Sequence, residues 1–189
     1  MQIDDRLLFL RYALPCSNDL INNGIATQDN IDRLMKLVSK DELPEEGAES
    51  IFKVGVAMCT IIAMKAGKKT IDAEVIRQYF LMEHNKAVDE QFKLRKDFDP
   101  VECKTYAGKV VKAETDFALV STPIGLKRCR TDFAKNLKEG DNVAVHSGFA
   151  VERISDSIAN KMNEIRAADL AAKGDGAKSA RTRVVNIPI

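Results

Sequence analysis

Cys103 and His146 are the residues of this sequence best suited to chemistry, because a thiol and an imidazole can act together in metal binding or redox reactions. Cys103 precedes a segment with the alternating pattern of a β-strand, and His146, one of two histidines, ends another. If the fold brings them together, they form a metal-binding pair with Cys103 as the metal ligand. The alternative is an ordinary cysteine at a strand start and a histidine satisfied by a turn.

The strand that ends at His146 determines where its imidazole points. Successive side chains of a strand face opposite sides, so His146 points outward if Val143 and Val145 point into a barrel. A nearby cation favours the thiolate form of a cysteine, and Lys104 or a protonated His146 could supply that cation to Cys103. We therefore expect both side chains at one accessible rim of the barrel.

The other three cysteines and the second histidine are interpreted as structural or solvated residues. Cys59 lies in the most apolar helical segment, which predicts a core position. Alternation along a strand places Cys129 inside the barrel. Cys16 follows Pro15 near a helix start, where helix N–H groups could activate a thiol, although an ordinary cysteine is the favoured interpretation. His84 lies on a polar helix face and is expected to be solvated.

The first 98 residues carry helical patterns. Apolar residues recur three or four positions apart, and the segment 48–66 is apolar on nearly every side, as in the central helix of a bundle. Pro100 follows a charged stretch and marks the best domain boundary. We predict an N-terminal helical bundle over residues 1–98, with the segment 48–66 as its buried centre.

After Pro100 the apolar residues alternate along the chain. Short strands are predicted at Lys109–Ala113, Phe117–Ser121, Leu126–Arg130 and Asn142–Val145. Short strands at this spacing favour a small closed barrel over an open sheet. A final helix over residues 158–172 is expected to pack on the barrel and to end at Gly174. The predicted organisation is therefore α+β, with a helical domain at 1–98, a β-barrel with a closing C-terminal helix at 101–173, and a tail at 174–189.

Composition and charge exclude several classes of function. The net charge is +1 over 189 residues, which gives no basis for binding nucleic acid or an anionic membrane. The longest apolar run, 54–64, is far shorter than the roughly 20 residues that a membrane-spanning helix needs. Acidic N-terminal residues and four scattered cysteines predict a cytoplasmic protein with free thiols. No triad, acid–base pair or multi-ligand metal spacing is present, which argues against an enzyme.

Several motifs follow one another between positions 103 and 166. They begin with Cys103 and Gly108, continue through strand-like segments, and end in the specific run GDNVAVHSGFAVE at 140–152. In this order and spacing they resemble the HypC/HupF family of hydrogenase-maturation chaperones. Two positions depart from the family pattern: Cys103 is internal rather than next to the initiator methionine, and Ala107 stands where the family has proline.

The resemblance implies an OB-like barrel with a C-terminal helix and a non-enzymatic chaperone of metal-centre assembly. Its partners would be a HypD-like scaffold protein and the precursor of the nickel–iron hydrogenase large subunit. The family's functional cysteine and histidine fall on Cys103 and His146, which makes them the candidates for partner contact and iron handling. Supporting residues are Lys104, Gly108, Gly148 and Phe149. No tightly bound cofactor is expected, only transient iron.

Two other functions are weighed against the chaperone role. A non-catalytic adaptor would keep the barrel for protein binding, lose the iron chemistry and use the helical domain for interaction, with homo-oligomerisation left open. A nucleic-acid-binding barrel would need exposed aromatic residues on a basic face. Phe117, Phe133 and Phe149 lie instead in apolar runs, so nucleic-acid binding is not expected.

Overall fold

The computed structural model describes residues 1–91 and 99–181 of the chain. Helices form the first stretch, here called the helical part, and a closed five-stranded barrel with a long helix forms the second, the barrel part. This architecture confirms the predicted α+β class with a small barrel in the C-terminal part. No helix within these two stretches is both long enough and apolar enough to cross a membrane.

Six α-helices make up the helical part as described. Their bounds are α1 Arg6–Ala13, α2 Asn18–Asn22, α3 Gln28–Ser39, α4 Lys53–Lys65, α5 Ala73–Arg77 and α6 His84–Gln91. Two short 3-10 turns, Leu14–Cys16 and Ala48–Ile51, precede α2 and α4. Three of the helices begin at a capping side chain, since Asp5, Thr27 and Asp72 each accept a hydrogen bond from a backbone amide of the first turn.

Helix α4 differs from its sequence-based prediction. It was expected to be the buried centre of the bundle, yet Val54, Ile61 and Met64 are 46%, 44% and 67% exposed. Only Cys59, Ile62 and Ala63 of this helix are fully buried. The helix therefore packs along one side and leaves an apolar face uncovered by the described residues, because apolar composition alone does not determine what covers a helix.

A π-helical segment, Gln78–Glu83, joins α5 to α6. A π turn contains an extra residue, so the side chains after it are rotated by about 100° from their positions on a continuous α-helix. His84, the first residue of α6, consequently faces the interior and is only 7% exposed. The expectation that His84 is solvated on a polar helix face is wrong.

The barrel strands are β1 Thr105–Ala113, β2 Phe117–Thr122, β3 Gly125–Arg130, β4 Asn142–His146 and β5 Phe149–Arg153. Their order around the barrel is β1-β2-β3-β5-β4, and β4 closes the barrel by pairing with β1. Four of them overlap the predicted strands, and β5 is an addition. In the antiparallel β1–β4 ladder, Thr105 lies opposite His146. This register brings the residues just before β1 to the end of β4.

Gly108 allows β1 and β2 to approach closely. A Cβ atom at this position would lie 2.4 Å from Cγ1 of Val120 and 3.2 Å from the carbonyl oxygen of Ser121. We expect Gly108→Ala to lower the free energy of unfolding by about 1–3 kcal/mol, because the buried Val120 must leave its packed position. Urea unfolding of the two proteins measures the difference. Equal midpoints would show that the barrel absorbs the methyl group without strain.

Two helices flank the barrel in sequence. The short α7, Pro100–Cys103, begins at Asp99, whose carboxylate accepts hydrogen bonds from the Val101 and Glu102 amides. The long α8 runs from Asp156 to Arg181 and so continues past Gly174, where it was expected to end. A glycine inside a helix costs only about 1 kcal/mol, which a long helix tolerates. Of the tail predicted at 174–189, residues 182–189 lie outside the described residues.

One hydrophobic cluster extends across the helical part and the outer face of the barrel. It contains Phe9, Tyr12 and Phe80 from helices together with Ala144 and Val151 from β4 and β5. A second, smaller cluster fills the barrel interior and includes Cys129, Val143 and Val145. The two parts are therefore packed against each other, and the boundary predicted between residues 98 and 101 stays a prediction.

Candidate functional site

Two cysteines and two histidines meet where the helical part packs on the barrel. The potential ligand atoms of Cys16, His84, Cys103 and His146 all lie within 4.8 Å of one another. The Cys16 sulfur is 3.0 Å from the Cys103 sulfur and 2.9 Å from Nε2 of His146. The structure thus brings the predicted Cys103–His146 pair together and adds two residues that the sequence analysis did not assign to it.

Each member of this Cys2His2 cluster lies at the end of an element. Cys16 closes the 3-10 turn after α1, and His84 opens α6 after the π segment. Cys103 is the last residue of α7, and His146 is the last residue of β4. The helical part and the barrel part therefore contribute one thiol and one imidazole each.

The orientation of His146 follows the strand alternation, but its exposure does not follow the prediction. Val143 and Val145 point into the barrel interior, so His146 points outward, as expected. The helical part covers that side, however, and leaves His146 0% exposed and Cys103 only 9% exposed. The accessible rim expected for the pair is thus a covered junction, because the packing of the helices on the barrel depends on long-range contacts that local patterns do not show.

A backbone hydrogen bond fixes the His146 ring. Its Nδ1 lies 2.8 Å from the carbonyl oxygen of Tyr12, which can only accept, so Nδ1 carries the proton in this contact. Nε2 is then directed at the Cys16 sulfur. Metal-binding histidines commonly donate their second ring N–H to a carbonyl in this way.

The surroundings of the two thiols differ, and they favour the thiolate form at Cys16 rather than at Cys103. The hydrogen bond from Cys103 lowers the pKa of the Cys16 thiol well below its usual range, and the charge of His146 adds to this effect. The same hydrogen bond, together with burial, raises the pKa of Cys103. Cys103 was expected to be the thiolate, stabilised by Lys104 or His146. The contacts instead favour the thiolate at Cys16, and Lys104 Nζ pairs with Asp89 at 2.7 Å.

The pKa values of the two buried histidines shift in opposite directions, although burial lowers both. Burial lowers the pKa of His84 to about 4, and repulsion from His146 acts in the same direction. Burial also disfavours a charged His146, but the Cys16 thiolate and the hydrogen bond to Tyr12 outweigh it and raise the pKa of His146. The pKa shifts of Cys16 and His146 therefore favour their charged forms, whereas that of His84 favours a neutral imidazole.

Two of the predicted supporting residues, Gly148 and Phe149, shape the turn after β4 and the packing of β5. Ser147 and Gly148 have φ values of 45° and 79° and form the two-residue turn between β4 and β5, a conformation in which glycine is favoured. Phe149 stacks on Phe133 with ring centroids 5.4 Å apart, beneath the guanidinium of Arg130. Gly148 thus sets the end of β4, while Phe149, the cross-strand partner of His146, contacts Phe133 and Arg130.

Sequence reasoning missed Cys16 and His84 as members of the cluster. Cys16 is 87 residues from Cys103 and 130 from His146 along the chain, so no spacing motif connects them. The signal for His84 lies in the π segment, which local periodicity does not reveal. In contrast, Cys59 and Cys129 are fully buried outside the cluster, as predicted.

A cavity of about 800 Å³ leads to the cluster, and all four cluster residues line it. Its wall is largely apolar and comes from the helical part, including Ile25, Phe52 and Val54. Ile25 and Val54 are about half exposed, so the cavity reaches the surface there. A small ion or a segment of another protein can approach the thiols by this route.

We expect Cys16 to be the most reactive cysteine of the metal-free, reduced protein at pH 7. All four cysteines lie in the described part of the chain, where Cys16 is partly exposed and the others are buried. Burial raises the pKa of Cys59 to about 12 and that of Cys129 to about 11, which suppresses their thiolates. Brief iodoacetamide treatment and peptide mass spectrometry should show Cys16 modified at least about tenfold faster than Cys103. Faster labelling of Cys103 would show that the thiolate forms at Cys103 and would contradict this prediction.

Two comparisons with known proteins bear on the identity of the chain. A search of curated proteins finds no significant match for the chain. The chain does match the model of one protein family, over about a third of its length. This match includes both Cys103 and His146 and agrees with the resemblance predicted for residues 103–166. Residues 103–165, which form the barrel and the start of α8, match the model of the HupF/HypC family, so the C-terminal part of this chain is similar to that family.

Proposed function

We propose that this protein is a HypC-like chaperone of metal-centre assembly that acts in nickel–iron hydrogenase maturation. The similarity to the HupF/HypC family supports a role of the hydrogenase-maturation chaperone kind. In this role the barrel binds protein partners, a HypD-like scaffold and the precursor of the hydrogenase large subunit, in the cytoplasm. The activity is binding and delivery rather than catalysis.

Iron is the cargo in this function, and Cys103 and His146 are its handling residues. The observation that carries this assignment is the β1–β4 register, which sets Thr105 opposite His146 and so brings Cys103 beside that imidazole. Thiolate and imidazole together suit iron in its ferrous state. The cavity gives the pair an opening toward a partner.

A pull-down with purified partners tests this function. Wild-type protein is expected to retain a HypD-like scaffold and a hydrogenase precursor, and Cys103→Ala is expected to lose most of the scaffold. Cys129→Ala is the matched control, because Cys129 is buried inside the barrel away from the cluster. Unchanged binding by Cys103→Ala would remove this cysteine from the mechanism. Failure of the wild-type protein to bind either partner would remove the partner assignment.

A second candidate is an adaptor that binds a protein through its helices without iron chemistry. The exposed apolar residues Val54, Ile61 and Met64 of α4 favour it, because apolar clusters on a surface commonly mark protein-binding sites. The two functions respond to different substitutions. Adaptor binding would survive Cys103→Ala and be lost in the double variant Ile61→Glu, Met64→Glu, whereas cargo transfer requires Cys103.

A further inference from the structure

We propose that Cys16 and His84 complete, with Cys103 and His146, a four-coordinate site for one divalent transition-metal ion of the zinc or ferrous type. This goes beyond the proposed function, which uses only the barrel pair, because the two added ligands come from the helical part, outside residues 103–165. It also goes further than the sequence-based expectation of transient iron. The site would join the two parts of the chain through a shared ion.

The number and spacing of the donors fit a tetrahedral ion. A tetrahedron with metal–sulfur bonds of about 2.3 Å and metal–nitrogen bonds of about 2.0 Å has edges of about 3.3–3.8 Å. The four donor atoms of the cluster lie within 4.8 Å of one another, and the two sulfurs are 3.0 Å apart. One ion can therefore contact all four with small side-chain rotations. The described residues contain no second group of three or more such ligands.

The surroundings of both histidines are those of metal ligands. The Tyr12 carbonyl accepts the Nδ1 proton of His146 and leaves Nε2 for the site. His84 is only 7% exposed, and its Nδ1 has no hydrogen-bond partner among the described residues. A buried polar atom without a partner destabilises a fold, so a ligand bound by the His84 imidazole would account for a buried histidine at this position.

The kind of ion follows from charge and donor type. Two thiolates neutralise a divalent ion, which removes the cost of burying either charge alone. Sulfur and imidazole donors select zinc and iron over magnesium and calcium, which prefer oxygen. The partial exposure of Cys16 and the adjoining cavity provide an entry path.

Cobalt substitution provides the first test, performed on the reduced full-length protein. Co²⁺ in a tetrahedral site with thiolates gives intense visible bands and a sulfur-to-metal charge-transfer band, whereas octahedral Co²⁺ is nearly colourless. We expect one Co²⁺ per chain with the tetrahedral spectrum. Cys16→Ser and His84→Gln should each weaken Co²⁺ binding by at least about 100-fold, since even residues behind the ligands cost 10–100-fold.

Cys59→Ala is the matched control, because Cys59 is a buried free thiol outside the cluster. It should keep the affinity and the spectrum of the wild type. Circular dichroism of each metal-free variant establishes that it is folded before its affinity is compared. Wild-type affinity in both Cys16→Ser and His84→Gln, or an octahedral spectrum in the wild type, would overturn the four-ligand site.

X-ray absorption of the zinc-loaded wild type tests the same site without any variant. Two sulfur and two nitrogen ligands at about 2.3 Å and 2.0 Å are expected. A shell with one sulfur, or one completed by oxygen, would contradict the contribution of Cys16. Elemental analysis of protein purified from cells under reducing, anaerobic conditions then identifies the bound ion. One zinc or one iron atom per chain is expected. Less than about a tenth of an atom of either metal per chain would overturn resident metal binding.

These measurements need no partner protein and therefore separate this inference from the proposed function. Tetrahedral metal binding together with failed pull-downs would retain the four-ligand site and reject the chaperone role. Partner binding with no metal bound by the chain would do the reverse.

Discussion

Replacing Phe80 with alanine is expected to lower the free energy of unfolding by about 3–5 kcal/mol, a large share of the 5–15 kcal/mol typical of a folded protein. Phe80 is 3% exposed and lies at the centre of the junction between the two parts. It stacks on Tyr12 with ring centroids 5.0 Å apart and contacts both His84 and His146, at 5.8 Å and 6.3 Å. The cavity left by alanine would therefore loosen the core and both imidazoles.

Urea unfolding followed by far-UV circular dichroism measures this loss. Ile61→Ala is the control, because Ile61 is 44% exposed on α4 and should change stability by no more than about 0.5 kcal/mol. Phe80→Leu keeps most of the side-chain volume, so its loss of stability should fall between those of Phe80→Ala and Ile61→Ala. A loss below about 1 kcal/mol for Phe80→Ala would mean that the junction contributes little to stability.

Local sequence patterns predicted the barrel better than the helical part. Strand alternation and turn residues located four strands and also the outward side of His146, since a strand of period two gives each residue a face. The apolar segment at 48–66 was misjudged for a related reason. Its composition shows that exposure is costly, but nothing local shows that Val54, Ile61 and Met64 would have no covering element among the described residues.

The candidate site could be predicted only in part. Cys103 and His146 are predicted from their chemistry and their positions at strand ends, and the family resemblance supports both. Their contact depends on the long-range β1–β4 pairing, which places Thr105 opposite His146. Cys16 and His84 were not predicted, because their positions depend on the packing of helices on the barrel and on the turn of the π segment. Both features belong to tertiary structure rather than to spacing along the chain.

The ion pair between Arg77 and Glu152 is a second element that holds the parts together. Glu152 lies on β5, and its carboxylate accepts from Arg77 Nε at 2.9 Å and from the Tyr12 hydroxyl at 2.6 Å. Its side chain is 13% exposed, whereas that of Arg77 is 40% exposed and partly screened by water. Burial, followed by the charge of Glu152, raises the pKa of Tyr12 well above its usual value, so the hydroxyl stays protonated as the donor.

We expect Glu152→Gln to lower the free energy of unfolding by about 2–3 kcal/mol, because it weakens a charged hydrogen bond to a buried hydroxyl and removes the partner of Arg77. A double-mutant cycle with Tyr12→Phe should give a coupling energy of about 1–2 kcal/mol, measured by urea unfolding of the four proteins. Glu114→Gln is the control, since the Lys112–Glu114 pair is exposed to water and the substitution should leave the urea midpoint unchanged. Additive effects of Tyr12→Phe and Glu152→Gln would show that this hydrogen bond does not couple α1 to the barrel. The position of the Tyr12 carbonyl, which orients His146, would then depend on packing around Phe80 alone.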